Sequence, residues 1–186
     1  MKLAFFGGTF NPPHKGHEMM IDYCYDLFDQ LLIIPNRVSP EKLSNPPISE
    51  FHKLNMLNIL IGEKDIKIDI FELESNKDNY TYHTLKYLIQ TYTFSDLYMI
   101  IGEDQLSNLL NWYKIDFILQ HVKVLCFKRE NFSKKNHKLQ NIQYVPFDCL
   151  FSSSKIREMI KNNIQLKKET INEEVYKYIE DNNLYK

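Results

Sequence analysis

Six short apolar runs alternate with longer segments of helical period along most of this chain, and that alternation leaves few architectures open. The runs cover residues 3–6, 31–34, 66–71, 97–101, 122–127 and 142–145. Several are apolar almost throughout, the pattern of strands buried on both faces. The spacing predicts helices over 15–28, 50–61, 82–92, 105–110 with 115–120, 153–161 and 173–182. In the second of these, Phe51, Leu54, Leu57 and Ile61 recur at helical spacing behind Ser49 as N-cap, and Asn172 caps the last. This order predicts an α/β fold with a doubly wound, mainly parallel sheet, in a single domain spanning residues 1–186. Ligands of such sheets lie beyond the carboxyl ends of the strands, near the switch in strand order. The first strand ends at Phe6, so the chain from Gly7 onward falls where a ligand belongs. Segments 35–47, with four prolines, and 129–141, rich in lysine and asparagine, read as surface loops.

Bulk properties narrow the partners. The formal net charge is −1, so the whole molecule has no electrostatic pull toward nucleic acid or an anionic membrane. Any phosphate ligand must then be held by a local arrangement of loops, helix starts and single basic residues. Cys24, Cys126 and Cys149 are odd in number and widely spaced, which argues against a disulfide framework or a structural zinc site. Cys24 and Cys126 stand in apolar surroundings and read as small core residues. No apolar run reaches bilayer-spanning length, and the first residues lack the pattern of a signal peptide. A cytoplasmic location is the expectation. Homo-oligomerisation is left open.

The string from Gly7 to His17, Gly-Gly-Thr-Phe-Asn-Pro-Pro-His-Lys-Gly-His, carries the first chemistry. Two adjacent glycines let the backbone approach a ligand closely. Pro12 and Pro13 delay the helix until His14 or Lys15, which puts His14 and His17 on one face of its first turn. The N–H groups and dipole of a helix start favour a phosphate, and two imidazoles can donate to its oxygens. Gly16, between them, allows a ligand or a neighbouring loop to come close. Taken singly, a double glycine is usually only a turn and a histidine pair usually surface. Neither the G-x-G-x-x-G dinucleotide fingerprint nor the G-x-x-x-x-G-K-[ST] loop is present, and no zincin pattern accompanies the histidines.

The whole string resembles the G-G-T-F-D-P-x-H-x-G-H signature of the nucleotidyltransferases with an H-x-G-H motif, with Asn11 in place of the more common aspartate. Near the other end, Phe151-Ser152-Ser153-Ser154-Lys155-Ile156-Arg157 is similar to that superfamily's I-S-S-T-x-I-R string. Its physics is again phosphate binding, with hydroxyls at a helix start and an arginine one turn on. The resemblance implies that Gly7, Gly8, Thr9, Phe10, His14, His17, Ser152, Ser153, Ser154 and Arg157 meet ATP, with the two histidines catalytic.

The middle of the chain resembles the bacterial nicotinate-nucleotide adenylyltransferases within that superfamily. Pro35 to Lys42 is similar to their P-x-x-x-P-P-H-K loop, with Lys42 on the basic position. The string from Asn79 to Leu85 looks like S-Y-T-x-x-T-L, and Ile100 to Leu106 followed by Trp112 looks like I-I-G-x-D-x-L with its trailing tryptophan. The resemblance implies adenylate and ribose contacts at Gly102 and Asp104. It also implies a nicotinate ring stacked on Trp112, its carboxylate met by backbone N–H groups near Thr84 and Tyr113. The implied reaction joins ATP and nicotinate mononucleotide, with Mg²⁺ carried by the substrate phosphates and no protein metal site. Rival readings are an adenylyltransferase for nicotinamide mononucleotide or phosphopantetheine, a cytidylyltransferase, and a nucleotide-binding module without catalysis.

Overall fold

The apolar runs pair side by side into one sheet. In the computed structural model, which describes residues 1–37, 48–75, 80–128, 142–149 and 151–186, the strands are β1 (Lys2–Gly8), β2 (Gln30–Pro35), β3 (Lys67–Ile68), β4 (Asp96–Gly102), β5 (Lys123–Lys128) and β6 (Ile142–Pro146). Their order is β3-β2-β1-β4-β5-β6 and every pairing is parallel, as the doubly wound expectation requires. β1 stays in register with β2 to its last residue, Gly8 opposite Pro35, but with β4 only as far as Phe6 opposite Ile100. β4 continues beside β5 to Gly102 opposite Phe127. A crevice therefore opens between Gly7 and Gly102, at the carboxyl ends, where the strand order reverses.

Strand alternation sorts the core into two layers. Ala4, Phe6, Leu31, Ile33, Leu125 and Phe127 pack with residues of α1 (Lys15–Tyr25), α2 (Glu50–Ile61), α7 (Ser153–Lys161) and α8 (Glu173–Asp181). Leu3, Phe5, Leu32, Ile34, Met99 and Cys126 pack with α4 (Thr81–Thr91) and α6 (Ile115–His121). Cys24 and Cys126 are both fully buried and free, as expected of core residues. Local chemistry fixes several boundaries. Ser49 accepts the His52 N–H at 3.2 Å to start α2, and Gly62 ends it with φ 57°, in the left-handed region that glycine tolerates. Asn172 accepts the N–H groups of Glu174 and Val175 at 3.0 and 3.4 Å to start α8.

Three expectations are corrected. The strand expected over 66–71 pairs only at Lys67–Ile68, because the Asp69 carboxylate accepts the Phe71 N–H at 3.0 Å and turns the chain into the one-turn helix α3 (Phe71–Glu74). The inward face of α2 keeps Leu57 and Ile61 of the expected stripe but not its start, since Phe51 is 69% exposed. It runs through Lys53, Met56, Leu57, Leu60 and Ile61, and Lys53 is buried because its ammonium donates to the carbonyls of Asn36 and Arg37. The helix expected over 105–110 divides into α5 (Glu103–Leu106) and a 3₁₀ turn (Leu109–Asn111), and α6 restarts after Lys114 at φ 55°.

Candidate active site

The first turn is built around Phe10. Its backbone takes φ 46° and its ring is buried, edge-on to Phe6 at 5.4 Å and to His17 at 4.9 Å. A Cβ on Gly8 would lie 3.0 Å from that ring, which is why the loop needs glycine there. Phe10 therefore serves as the floor beneath His17, and its side chain meets protein on all these sides.

The histidines start α1 in an unusual way. His14 is the N-cap, and its Nδ1 accepts the Gly16 N–H at 3.1 Å. Reciprocally, His17 Nδ1 accepts the His14 N–H at 3.1 Å. The pair is a capping box made of imidazoles, and the rings stack with centroids 3.8 Å apart. Because each Nδ1 is an acceptor, the neutral ring carries its proton on Nε2. The expectation that α1 offers its own N–H groups to a phosphate is corrected here. The Gly16 amide is taken by His14 and the Lys15 amide by the Thr170 carbonyl at 3.1 Å. Each imidazole instead relays a backbone N–H through its ring, polarising the Nε2–H as a donor. Gly16 is required by close approach, since a Cβ would meet Cys149 Sγ at 2.7 Å and His14 Cε1 at 2.9 Å.

The second signature is stitched onto the first. Ser152 caps α7 by accepting the Lys155 N–H at 3.3 Å, and Ser153 donates to the Pro12 carbonyl at 2.9 Å. Arg157 donates to the Asn11 carbonyl at 2.5 Å and to Ser154 Oγ at 3.2 Å. Two strings more than 130 residues apart thus form one wall and floor.

One cleft of about 540 Å³ takes in both signatures and the middle motifs. Gly7, Gly8, Thr9, Phe10, His14 and His17 line it with Ser152, Ser153, Ser154 and Arg157. Gly102, Asp104, Trp112 and Tyr113 line it further along. Asp104 folds its carboxylate back over Gly102, where a Cβ would lie 2.8 Å from Oδ1. Tyr113, 46% exposed, stands 5.1 Å from the Tyr80 ring and 5.5 Å from the Tyr82 ring. Lys42 lies outside the described residues.

Thr84 is not brought to the cleft. It is buried, and its hydroxyl donates to Glu72. The residues of this helix that reach the cleft are Tyr80 and Thr81, at the start of α4, where Tyr80 makes no side-chain cap. Glu72, one of several charged residues between Lys67 and Glu74 and singled out by no motif of the sequence, also lines the cleft. Burial pushes its carboxyl up to about 7, opposed by the Thr84 hydrogen bond, with Asp69 raising it further and Lys53 lowering it. Burial likewise brings the Lys53 ammonium down to about 8. Among the described residues no group of three or more His, Cys, Asp or Glu is placed to hold a metal ion, and none of the helices is long and apolar enough to cross a membrane.

A parallel sheet with its crevice at the switch point, walled by donors suited to phosphate oxygens, defines a nucleotide-handling α/β protein. Residues 5–159 match the family described as cytidylyltransferase-like. The chain is 33% identical to nicotinate-nucleotide adenylyltransferase of Bacillus subtilis (strain 168), covering 99% of this chain and 98% of that protein. It is 32% identical to the probable nicotinate-nucleotide adenylyltransferase of Lactococcus lactis subsp. lactis (strain IL1403), covering 100% of this chain and 95% of that one. In fold it is similar to Plasmodium falciparum nicotinic acid mononucleotide adenylyltransferase complexed with NaAD, with a TM-score of 0.78 at 22% identity over 99% of this chain and 97% of that one. The chain belongs to the cytidylyltransferase-like family and, within it, to the nicotinate-nucleotide adenylyltransferases.

Proposed function

We propose that this chain transfers the adenylyl group of ATP to nicotinate mononucleotide, giving nicotinate adenine dinucleotide and pyrophosphate in NAD biosynthesis. The observation that carries the reading is the single cleft lined at once by the stacked His14–His17 pair, the Ser152–Arg157 wall, and Trp112 with Tyr113. The name shared by the curated relatives along the full chain supports it.

A 5′-phosphate oxygen of the acceptor attacks the α-phosphorus of ATP, and the bond to the bridging oxygen of the β-phosphate breaks in line. The nucleophile is already ionised at neutral pH, so the protein supplies no base and no covalent intermediate. Its work is alignment and neutralisation of charge on the α-phosphate and the leaving group. His14 and His17 donate through Nε2 to these oxygens. Thr9, Lys42, Ser152, Ser153, Ser154 and Arg157 hold the remaining phosphates, with the backbone of Gly7, Gly8 and Phe10 close against them. Gly102 and Asp104 take the adenylate and ribose. Trp112 stacks on the nicotinate ring, whose carboxylate is met by backbone N–H groups at Tyr113 and at the start of α4, near Thr84. The donor set at the phosphate end is imidazole, hydroxyl and guanidinium, so a Mg²⁺ would be carried by the triphosphate itself and would supply charge neutralisation there. Three free cysteines suit a cytoplasmic setting.

The test is pyrophosphate release from ATP with the acid and amide mononucleotides side by side. Backbone donors suit a carboxylate, and a mismatched amide costs ~1–3 kcal/mol, so kcat/KM favours the acid by about fivefold or more. Equal rates would overturn the acceptor, and no release with either would overturn the reaction.

A further inference from the structure

We propose that the segment from Thr170 to Tyr185 is a working part of the phosphate site, with Tyr185 as a positioning residue that holds the first turn through the Asn11 side chain. This rests on the reading of Gly7–His17 as that site. Three contacts reach the first turn from this segment. The Thr170 carbonyl accepts the Lys15 N–H at 3.1 Å, and Asn172 Nδ2 donates to Glu18 Oε1 at 3.0 Å. The Tyr185 hydroxyl donates to Asn11 Oδ1 at 2.7 Å across 174 residues of sequence.

Asn11 is 4% exposed and is gripped on two sides, its carbonyl by Arg157 and its side chain by Tyr185. Only Pro12 and Pro13 separate it from His14, and both have φ locked by their rings. A shift at Asn11 is therefore handed on to the histidine cap instead of being absorbed between them. The chain also bends sharply to deliver the phenol. After α8, Asn183 and Tyr185 take φ 52° and 66°, the left-handed region that L side chains rarely adopt. The Leu184 N–H closes the turn on the Ile179 carbonyl at 3.0 Å, and both Leu184 and Tyr185 pack on the core. Asparagine at a helix end has its own reason for that conformation. Tyr185 has none locally, and its contact with Asn11 supplies one. Tyr185 lies beyond residues 5–159, the part matched by the general family.

The test is Tyr185→Phe, which keeps the ring and its packing and deletes only the hydroxyl. A reacting centre displaced by a fraction of an ångström loses about tenfold in rate, so kcat/KM for ATP falls by about tenfold while KM for the mononucleotide stays within about twofold. The melting temperature stays within about 2 °C of the parent. Asn11→Ala gives a loss of similar size, and the double variant gives no further loss, because the two side chains act as one unit. Wild-type kinetics in Tyr185→Phe, a tenfold rise in KM for the mononucleotide, or additive losses in the double variant would overturn the proposal. Amide exchange at Gly16, whose N–H is held by His14, is the readout independent of turnover. It quickens in Tyr185→Phe even if the parent releases no pyrophosphate, and unchanged exchange would overturn the brace by itself.

Discussion

The two ends of the cleft are built from different materials. At the phosphate end almost every group is held by a directed hydrogen bond: Gly16 to His14, His14 to His17, Ser153 to Pro12 and Arg157 to Asn11. At the far end the contacts are between ring faces and edges, Tyr80, Tyr82 and Tyr113 among them, and the start of α4 has no side-chain cap. Hydrogen bonds fix direction to within a few tens of degrees, whereas aromatic contacts tolerate sliding. The end proposed for phosphoryl chemistry is thus held in fixed directions, and the aromatic end proposed for the acceptor is free to adjust.

The largest effect comes from breaking the rigid end. His17→Ala removes the proposed phosphate donor together with the acceptor for the His14 N–H. Pyrophosphate release falls by about 10²–10³-fold in kcat, while the cap loss costs only ~0.5–2 kcal/mol and circular dichroism reports an intact fold. Turnover within tenfold of the parent would remove the contrast altogether.

Next in size is Glu72→Gln, which tests what underlies the adjustable end. Burial raises the Glu72 carboxyl from its ordinary 4.5 to about 7, so between these values the folded chain holds the proton more tightly than the unfolded chain. The stability this contributes is complete below about 4.5 and is lost as pH rises through about 7. The amide side chain of the variant has no such titration. Across this window the parent loses up to roughly 3 kcal/mol relative to the variant, read from denaturant unfolding at pH 4.5 and pH 8. Parallel pH profiles for the two proteins would show that Glu72 is not held in its neutral form.

Smallest is Trp112→Ala at the adjustable end. Loss of a stacking face raises KM for the mononucleotide by about tenfold and leaves KM for ATP within about twofold, measured by initial rates. A matching rise in both constants would mean that the two ends are not separable.

The same division explains what could be read from sequence. Periodicity and caps are local, so the sheet, the crevice at Gly7, α2 behind Ser49, α7 and the Asn172 cap were all legible. The inward face of α2 was not, because Lys53 turns inward for carbonyls on a different segment. Asp69 hid a turn inside an apolar run, since nothing nearby announced that its carboxylate would hold Phe71 instead of facing water. The spacing of His14 and His17 was visible, but their reciprocal capping was not, because histidine is seldom an N-cap. Thr84 sat in a recognisable string, but the burial of its hydroxyl on Glu72 was not legible, because Glu72 of α3 lies just past the run read as strand. Contacts such as Tyr185 to Asn11 leave no local trace at all.

The imidazole capping box has a consequence for how this chain can change. Each ring is the end of a helix and, on the proposed reaction, also a phosphate donor, so a replacement at either position is penalised both in helix capping and in turnover. A substitute must accept a main-chain N–H on one side and present a donor on the other, in a ring of the same width. No other side chain offers that geometry. The pair has no tolerable halfway variant, and the route to a different phosphate site runs through rebuilding the whole turn.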